Sequence, residues 1–127
     1  MLDAARSLGV TLIAHSPLAA GLLTGRFHDD SAQARSMSRT RRLGRPRAFG
    51  ASGLARTAPL IEELRLIGRG HGASMAQVAL NWLTNFYGDD VVAIPGASKP
   101  WQATELAKTM SFTFTQELHG PGGATRR

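Results

Sequence analysis

Two segments of this chain are built alike, and together they restrict the folds open to it. Thr11-Leu12-Ile13-Ala14-His15 is a short apolar run that breaks into Ser16-Pro17-Leu18-Ala19-Ala20-Gly21, and Val91-Val92-Ala93-Ile94 breaks into Pro95-Gly96-Ala97-Ser98. Each reads as a strand followed by a turn of small residues that includes a serine. Both runs are apolar almost throughout, as parallel strands covered on both faces are. Helical spacing fills the stretch between them, and strand, helix, strand is the crossover unit of an α/β protein. The turns that follow such strands gather at the carboxyl edge of the sheet, where these folds bind their ligands. The two serine turns are therefore expected to face one site.

The remaining segments fit around that unit. Residues 2–8 carry apolar or small side chains at helical spacing and stop at Gly9, and they read as the tail of a longer helix. Leu54, Ala58, Ile61, Leu64 and Ile67 recur at three- and four-residue steps, which predicts an amphipathic helix ending near Gly68 to Gly72. Ser74-Met75-Ala76-Gln77 has the capping-box pattern, so a second helix is expected from there to about Phe86. Gly88-Asp89-Asp90 turns the chain into the second strand, and a last helix is expected from Pro100 to about Thr109. Between Phe27 and Leu54 no period is visible and Ser, Gly and Arg dominate, which reads as a long surface loop. Residues 119–127 hold too much glycine and too little apolar surface to pack, and read as a flexible tail.

Composition removes several classes of function. A hydrophobic fraction of 43% is too high for a disordered chain. Without cysteine there is neither a disulfide framework nor a thiolate metal site. No apolar run approaches the roughly 18 residues of a membrane span and no signal-peptide pattern is present, so the chain reads as soluble and cytoplasmic. The net charge of +6 rests on 13 arginines, six of them at positions 35, 39, 41, 42, 45 and 47. Three readings of that cluster stand side by side: a solvated basic loop, a loop covering an anionic cofactor, or a nucleic-acid contact. The last lacks interleaved aromatics and any accompanying motif. Asp89 and Asp90 are adjacent carboxylates with no further ligand at a useful spacing, His28, His71 and His119 have no matched partners, and no serine has the His and Asp of a hydrolase triad. No metal site is expected.

The turn at Pro95-Gly96-Ala97-Ser98 has chemistry of its own. It leaves backbone N–H groups at the start of a helix without intrahelical partners, and its small side chains admit a phosphate. A plain Pro-Gly turn explains the same residues.

At these residues the chain resembles a known family. His15-Ser16-Pro17-Leu18-Ala19-Ala20-Gly21-Leu22-Leu23-Thr24-Gly25-Arg26-Phe27 is similar to the Y/W-S-P-L-x-x-G-x-L-S/T-G-K/R-Y/F segment of the aldo/keto reductases. Ala76-Gln77-Val78-Ala79-Leu80-Asn81-Trp82-Leu83 resembles that family's penultimate helix, and Ile94-Pro95-Gly96-Ala97-Ser98 with Gln102 and Glu105 resembles its last nucleotide-binding turn. The resemblance runs from about Ala4 to about Leu118 and corresponds to the family's carboxyl-terminal third. It implies an α/β fold, the last two parallel strands and associated helices of a (β/α)8 TIM barrel, with residues 1–118 as that part of the domain.

It also implies a function. Ser16, Pro17 and Leu18 match positions on the cofactor's pyrophosphate, and Gly21 and Arg26 match loop positions on the same cofactor. Gly96 and Ser98 match phosphate-holding residues, while Gln102 and Glu105 match those at the adenosine end; Leu106 stands where the family usually has Asn on the adenine. His15 replaces the aromatic residue stacked on the nicotinamide. Lys99, next to Ser98, would favour NADP over NAD. The family's catalytic Asp, Tyr, Lys and His belong to its preceding part, and the single tyrosine and two lysines here stand in no matching motif. The expected chain is thus an NADPH-binding portion of an oxidoreductase for aldehydes or ketones, without catalytic residues, inactive alone and partnered by the missing barrel half. A non-enzymatic nucleotide-sensing or regulatory module, as among the family's channel β-subunit relatives, is the alternative.

Overall fold

A computed structural model of the chain describes residues 1–36 and 47–113. Arg39, Arg41, Arg42 and Arg45 of the basic cluster and the expected tail at 119–127 lie outside the described residues.

Helix α1, Leu2–Leu8, ends as its sequence predicts: Gly9 takes φ 64°, and its N–H reaches back to the carbonyls of Ala5 and Arg6. A left-handed residue at this place is inexpensive only for glycine. Strand β1, Leu12–His15, pairs in parallel with β2, Val91–Ile94, in the register Leu12 with Val91, Ile13 with Val92, Ala14 with Ala93 and His15 with Ile94. Two contacts bring the strand starts together. Arg6 Nε donates to Asp90 Oδ2 at 2.7 Å, and Thr11 Oγ1 donates to the Asp89 carbonyl at 3.2 Å.

Two parallel strands alone are expected to leave an apolar sheet face only partly covered, and among the described residues this is what is found. Val91 is buried and Leu12, Ala14 and Ala93 are half-buried, whereas Ile13 is 67%, Val92 51% and Ile94 52% exposed. Alternate side chains of a strand point to opposite faces, and here only one face meets helix.

Two core clusters support the unit. One is the seam between α4, Ala51–His71, and α5, Met75–Tyr87, where Ile61, Leu64, Ile67 and Val78 pack together. Ile61, Leu64 and Ile67 of the stripe read from the sequence lie in this seam, and Ser74 caps α5 with both halves of the capping box formed. The other cluster overturns part of the loop reading for 27–54. That stretch contains short helices, α2 at Arg26–Asp29 and α3 at Ser31–Ser36, and Phe27, Ala34 and Phe49 are buried there with Leu22 and Leu54. The Phe27 and Phe49 rings meet edge to face at 5.2 Å. Such pairs are made across the fold and leave no local period in sequence. Helix α6, Pro100–Ala107, follows β2 and passes into a 3-10 turn at Lys108–Ser111, where one longer helix was expected.

Candidate functional site

The two serine turns do converge. They open on a cleft of about 680 Å³ whose lining includes Ser16, Pro17, Leu18, Gly21 and Arg26 from the first turn and Gly96, Ser98, Gln102 and Glu105 from the second. Nine of the ten residues singled out in the sequence are therefore brought together. His15 is the one outside: it is exposed, on the same face of β1 as Ile13, with Nδ1 3.1 Å from Ser16 Oγ.

The first wall is a run of tight turns held in an uncommon backbone conformation. Ser16, Ala19 and Ala20 have φ of 53°, 50° and 58°, followed by Gly21 at 92°. Left-handed non-glycine residues cost of order 1–3 kcal/mol each and persist where surrounding structure fixes them. Here the Ala19 N–H donates to the Ser16 carbonyl at 2.9 Å, the Gly21 N–H to Leu18 at 2.9 Å, and Thr24 Oγ1 to the Gly21 carbonyl at 2.7 Å. A side chain at Gly21 would be strained by its φ of 92°, and its Cβ would stand 3.0 Å from Arg26 Nη2. The guanidinium of Arg26 in turn lies 4.4 Å from the centroid of the buried Phe27 ring. A cation at this wall thus lies over an aromatic face.

The second wall is the start of α6. Its backbone amides were expected to be unpaired, and the structure corrects this for two of them. Gln102 folds back so that Oε1 accepts from the Ser98 N–H at 2.9 Å, the Lys99 N–H at 3.0 Å and Ser98 Oγ at 3.2 Å. The Gln102 amide oxygen thus takes both of these backbone donors. Gly96 has nothing within 4 Å of a hypothetical Cβ, so this stretch is open.

A third wall was not read from the sequence. It is formed by Ser74 and Ala76 at the start of α5, while Trp101 and Leu106 of α6 extend the second wall. Ser74 was visible only as a helix cap; its place beside the turns depends on how α5 docks. Among the described residues no group of His, Cys, Asp and Glu is arranged to hold a metal, and no helix is long and apolar enough to cross a membrane.

Among the described residues the cleft offers hydroxyls, the Arg26 guanidinium and the Glu105 carboxyl at the carboxyl ends of two parallel strands. A family model for the aldo/keto reductases matches residues 1–120. The chain belongs to the aldo/keto reductase family. It is 34% identical over 118 residues to the aldo-keto reductase str7 of Strobilurus tenacellus, covering 92% of this chain and 33% of that protein. Over 125 residues it is 37% identical to the L-glyceraldehyde 3-phosphate reductase of Escherichia coli strain K12, 93% of this chain and 34% of that protein. An uncharacterized oxidoreductase of Mycobacterium tuberculosis is 44% identical over 91 residues, 68% of this chain and 24% of that protein. The chain thus spans about a third or less of the length of these relatives. Aldo/keto reductases form a (β/α)8 barrel and act on carbonyl substrates with a nicotinamide cofactor. Two parallel strands with their flanking helices are consistent with part of such a barrel.

Proposed function

We propose that this chain is the carboxyl-terminal, NADPH-binding part of an aldo/keto reductase, with residues 1–118 as that part of the domain. The observation that carries the reading is the cleft, which collects Ser16, Arg26, Gly96, Ser98, Gln102 and Glu105 from two turns far apart in sequence. A pyrophosphate needs close backbone approach, N–H and O–H donors and a fixed cation. The two turns supply small residues and hydroxyls, and Arg26 supplies the cation. Gln102 and Glu105 suit the adenosine end, and Lys99, next to Ser98 in sequence though outside the cleft lining, is the cation offered to a 2′-phosphate at its edge. Bound NADPH supplies a hydride for an aldehyde or ketone; this chain's residues hold and orient it.

The acid that protonates the carbonyl oxygen comes, in this reading, from outside the chain. Tyr87 packs against Trp82 and Phe86, and neither it nor Lys99 nor Lys108 lines the cleft. The exposed sheet residues Ile13, Val92 and Ile94 suit cover by the rest of a barrel. Calorimetric titration with NADP and NAD tests the proposal. NADP should bind, its affinity should fall as salt is added, and Lys99→Ala should weaken NADP more than NAD. Equal losses for the two cofactors would remove Lys99 from the 2′-phosphate; no binding of either by the wild-type chain would overturn the reading.

A further inference from the structure

We infer that Gln77 is a positioning residue that fixes the spacing of two cleft walls, an inference that rests on reading the cleft as a nucleotide site. Gln77 is only 7% exposed and lies on the core face of α5. Its Oε1 accepts from the Ser74 N–H at 2.9 Å, and its own backbone N–H donates to Ser74 Oγ at 3.2 Å. Its Nε2 donates to the Glu105 carbonyl at 2.8 Å. Ser74 belongs to the α5 wall and Glu105 to the α6 wall, so one amide group joins the two.

A capping box alone requires only the acceptor, and Glu serves that position as well as Gln does. The donor is what a carboxylate lacks. An amide satisfies an N–H at the start of one helix and a carbonyl in the last turn of another at the same time, which an ionised carboxylate cannot do. One turn further along α5, Asn81 Nδ2 donates to the carbonyls of Thr109 at 2.8 Å and Phe112 at 2.5 Å, so the segment after α6 is pinned as well. Gln77 is the pin nearer the cleft. Glu105 and Gln102 share α6, and Gln102 in turn holds the Ser98 and Lys99 amides. Releasing the Glu105 carbonyl therefore loosens the whole second wall.

Gln77→Glu separates the two roles. At about pH 8 the carboxylate keeps the acceptor for Ser74 but turns lone pairs toward the Glu105 carbonyl; at about pH 5 burial favours the protonated acid, which donates again. The expected result is NADP binding roughly tenfold weaker than wild type at the higher pH, converging to within about twofold at the lower one. Gln77→Met, isosteric and uncharged, should be weaker at both and show no convergence; it also serves if Gln77→Glu does not fold at the higher pH. A Gln77→Glu affinity equal to wild type at the higher pH, or a ratio constant with pH, would overturn the inference. Failure of the wild-type chain to bind NADP would sink the nucleotide reading instead. The tether is then decided without ligand, by amide exchange over residues 105–111: faster exchange in Gln77→Glu at the higher pH, restored at the lower, upholds it, and unchanged exchange refutes it.

Discussion

Replacing Phe27 by alanine should do two separable things. The ring is 1% exposed, meets Phe49 edge to face at 5.2 Å and an 80° interplanar angle, and carries the Arg26 guanidinium 4.4 Å from its centroid. Truncating a fully buried Phe costs about 3–5 kcal/mol, the spread reflecting how far the site collapses. The edge-to-face pair contributes about 0.5–1.5 kcal/mol of this. The cluster around Phe27 is small, with Leu22, Ala34, Phe49 and Leu54 as its other buried members, so partial collapse is open to it and about 3–4 kcal/mol is expected. With a urea slope of about 1.5 kcal/mol/M this moves the denaturation midpoint down by roughly 2 M, measured by far-ultraviolet circular dichroism. The second effect is on Arg26, which loses the face that fixes it and should bind NADP several-fold more weakly. Phe27→Leu distinguishes the two, because it keeps most of the apolar volume at a cost of about 1–1.5 kcal/mol yet removes the π face. A stability loss below about 1 kcal/mol for Phe27→Ala would refute the packed cluster. Unchanged NADP affinity in Phe27→Leu would refute the anchoring of Arg26.

Three further outcomes are expected. Gly70→Ala should stabilise α4 by roughly 0.5–1 kcal/mol, since nothing lies within 4 Å of the added methyl, whereas Gly68→Ala should destabilise because its Cβ would sit 2.5 Å from the Ala73 carbonyl oxygen; paired thermal melts read both. The sheet face that is uncovered among the described residues should drive self-association, so Ile13→Glu should shift the chain toward monomer in sedimentation velocity, and an unchanged distribution would argue against that face as the contact. NADPH oxidation dependent on an aldehyde should not exceed background with the chain alone, and turnover abolished by Ser16→Ala would contradict a proton donor from outside.

Features that act locally were readable from sequence. Gly9 as a helix stop, the Ser74–Gln77 capping box and the Leu54 to Ile67 stripe depend on neighbours within a turn or two, and each is found as read. The two strands were found as well, with β1 starting one residue later than the apolar run. What escaped depends on distant partners. Phe27, Ala34 and Phe49 are too widely spaced to show a period, so their cluster was read as loop. The self-cap by Gln102 looked like open helix amides because sequence spacing does not say which side chain folds back. For the cleft, both turns were marked by their Gly, Pro and Ser residues, while the wall from Ser74 and Ala76 was set by helix docking alone. The placement of His15 was readable in part: strand parity puts it with Ile13, on the face that proves uncovered among the described residues.

The register of the sheet also orders events in time. Leu12 pairs with Val91, so closing the two strands against each other means closing a loop that holds nearly all the intervening chain. Such long-range pairing is slow, while α4 and α5 are neighbours in sequence and their seam is built from near contacts. The sheet is then the late step of folding, and the cleft, which exists only where both strands end, comes into being with it. A ligand seated there would clamp the last-formed contact rather than an early one. Its stabilisation should accordingly appear as slower unfolding, with the refolding rate left nearly as it was.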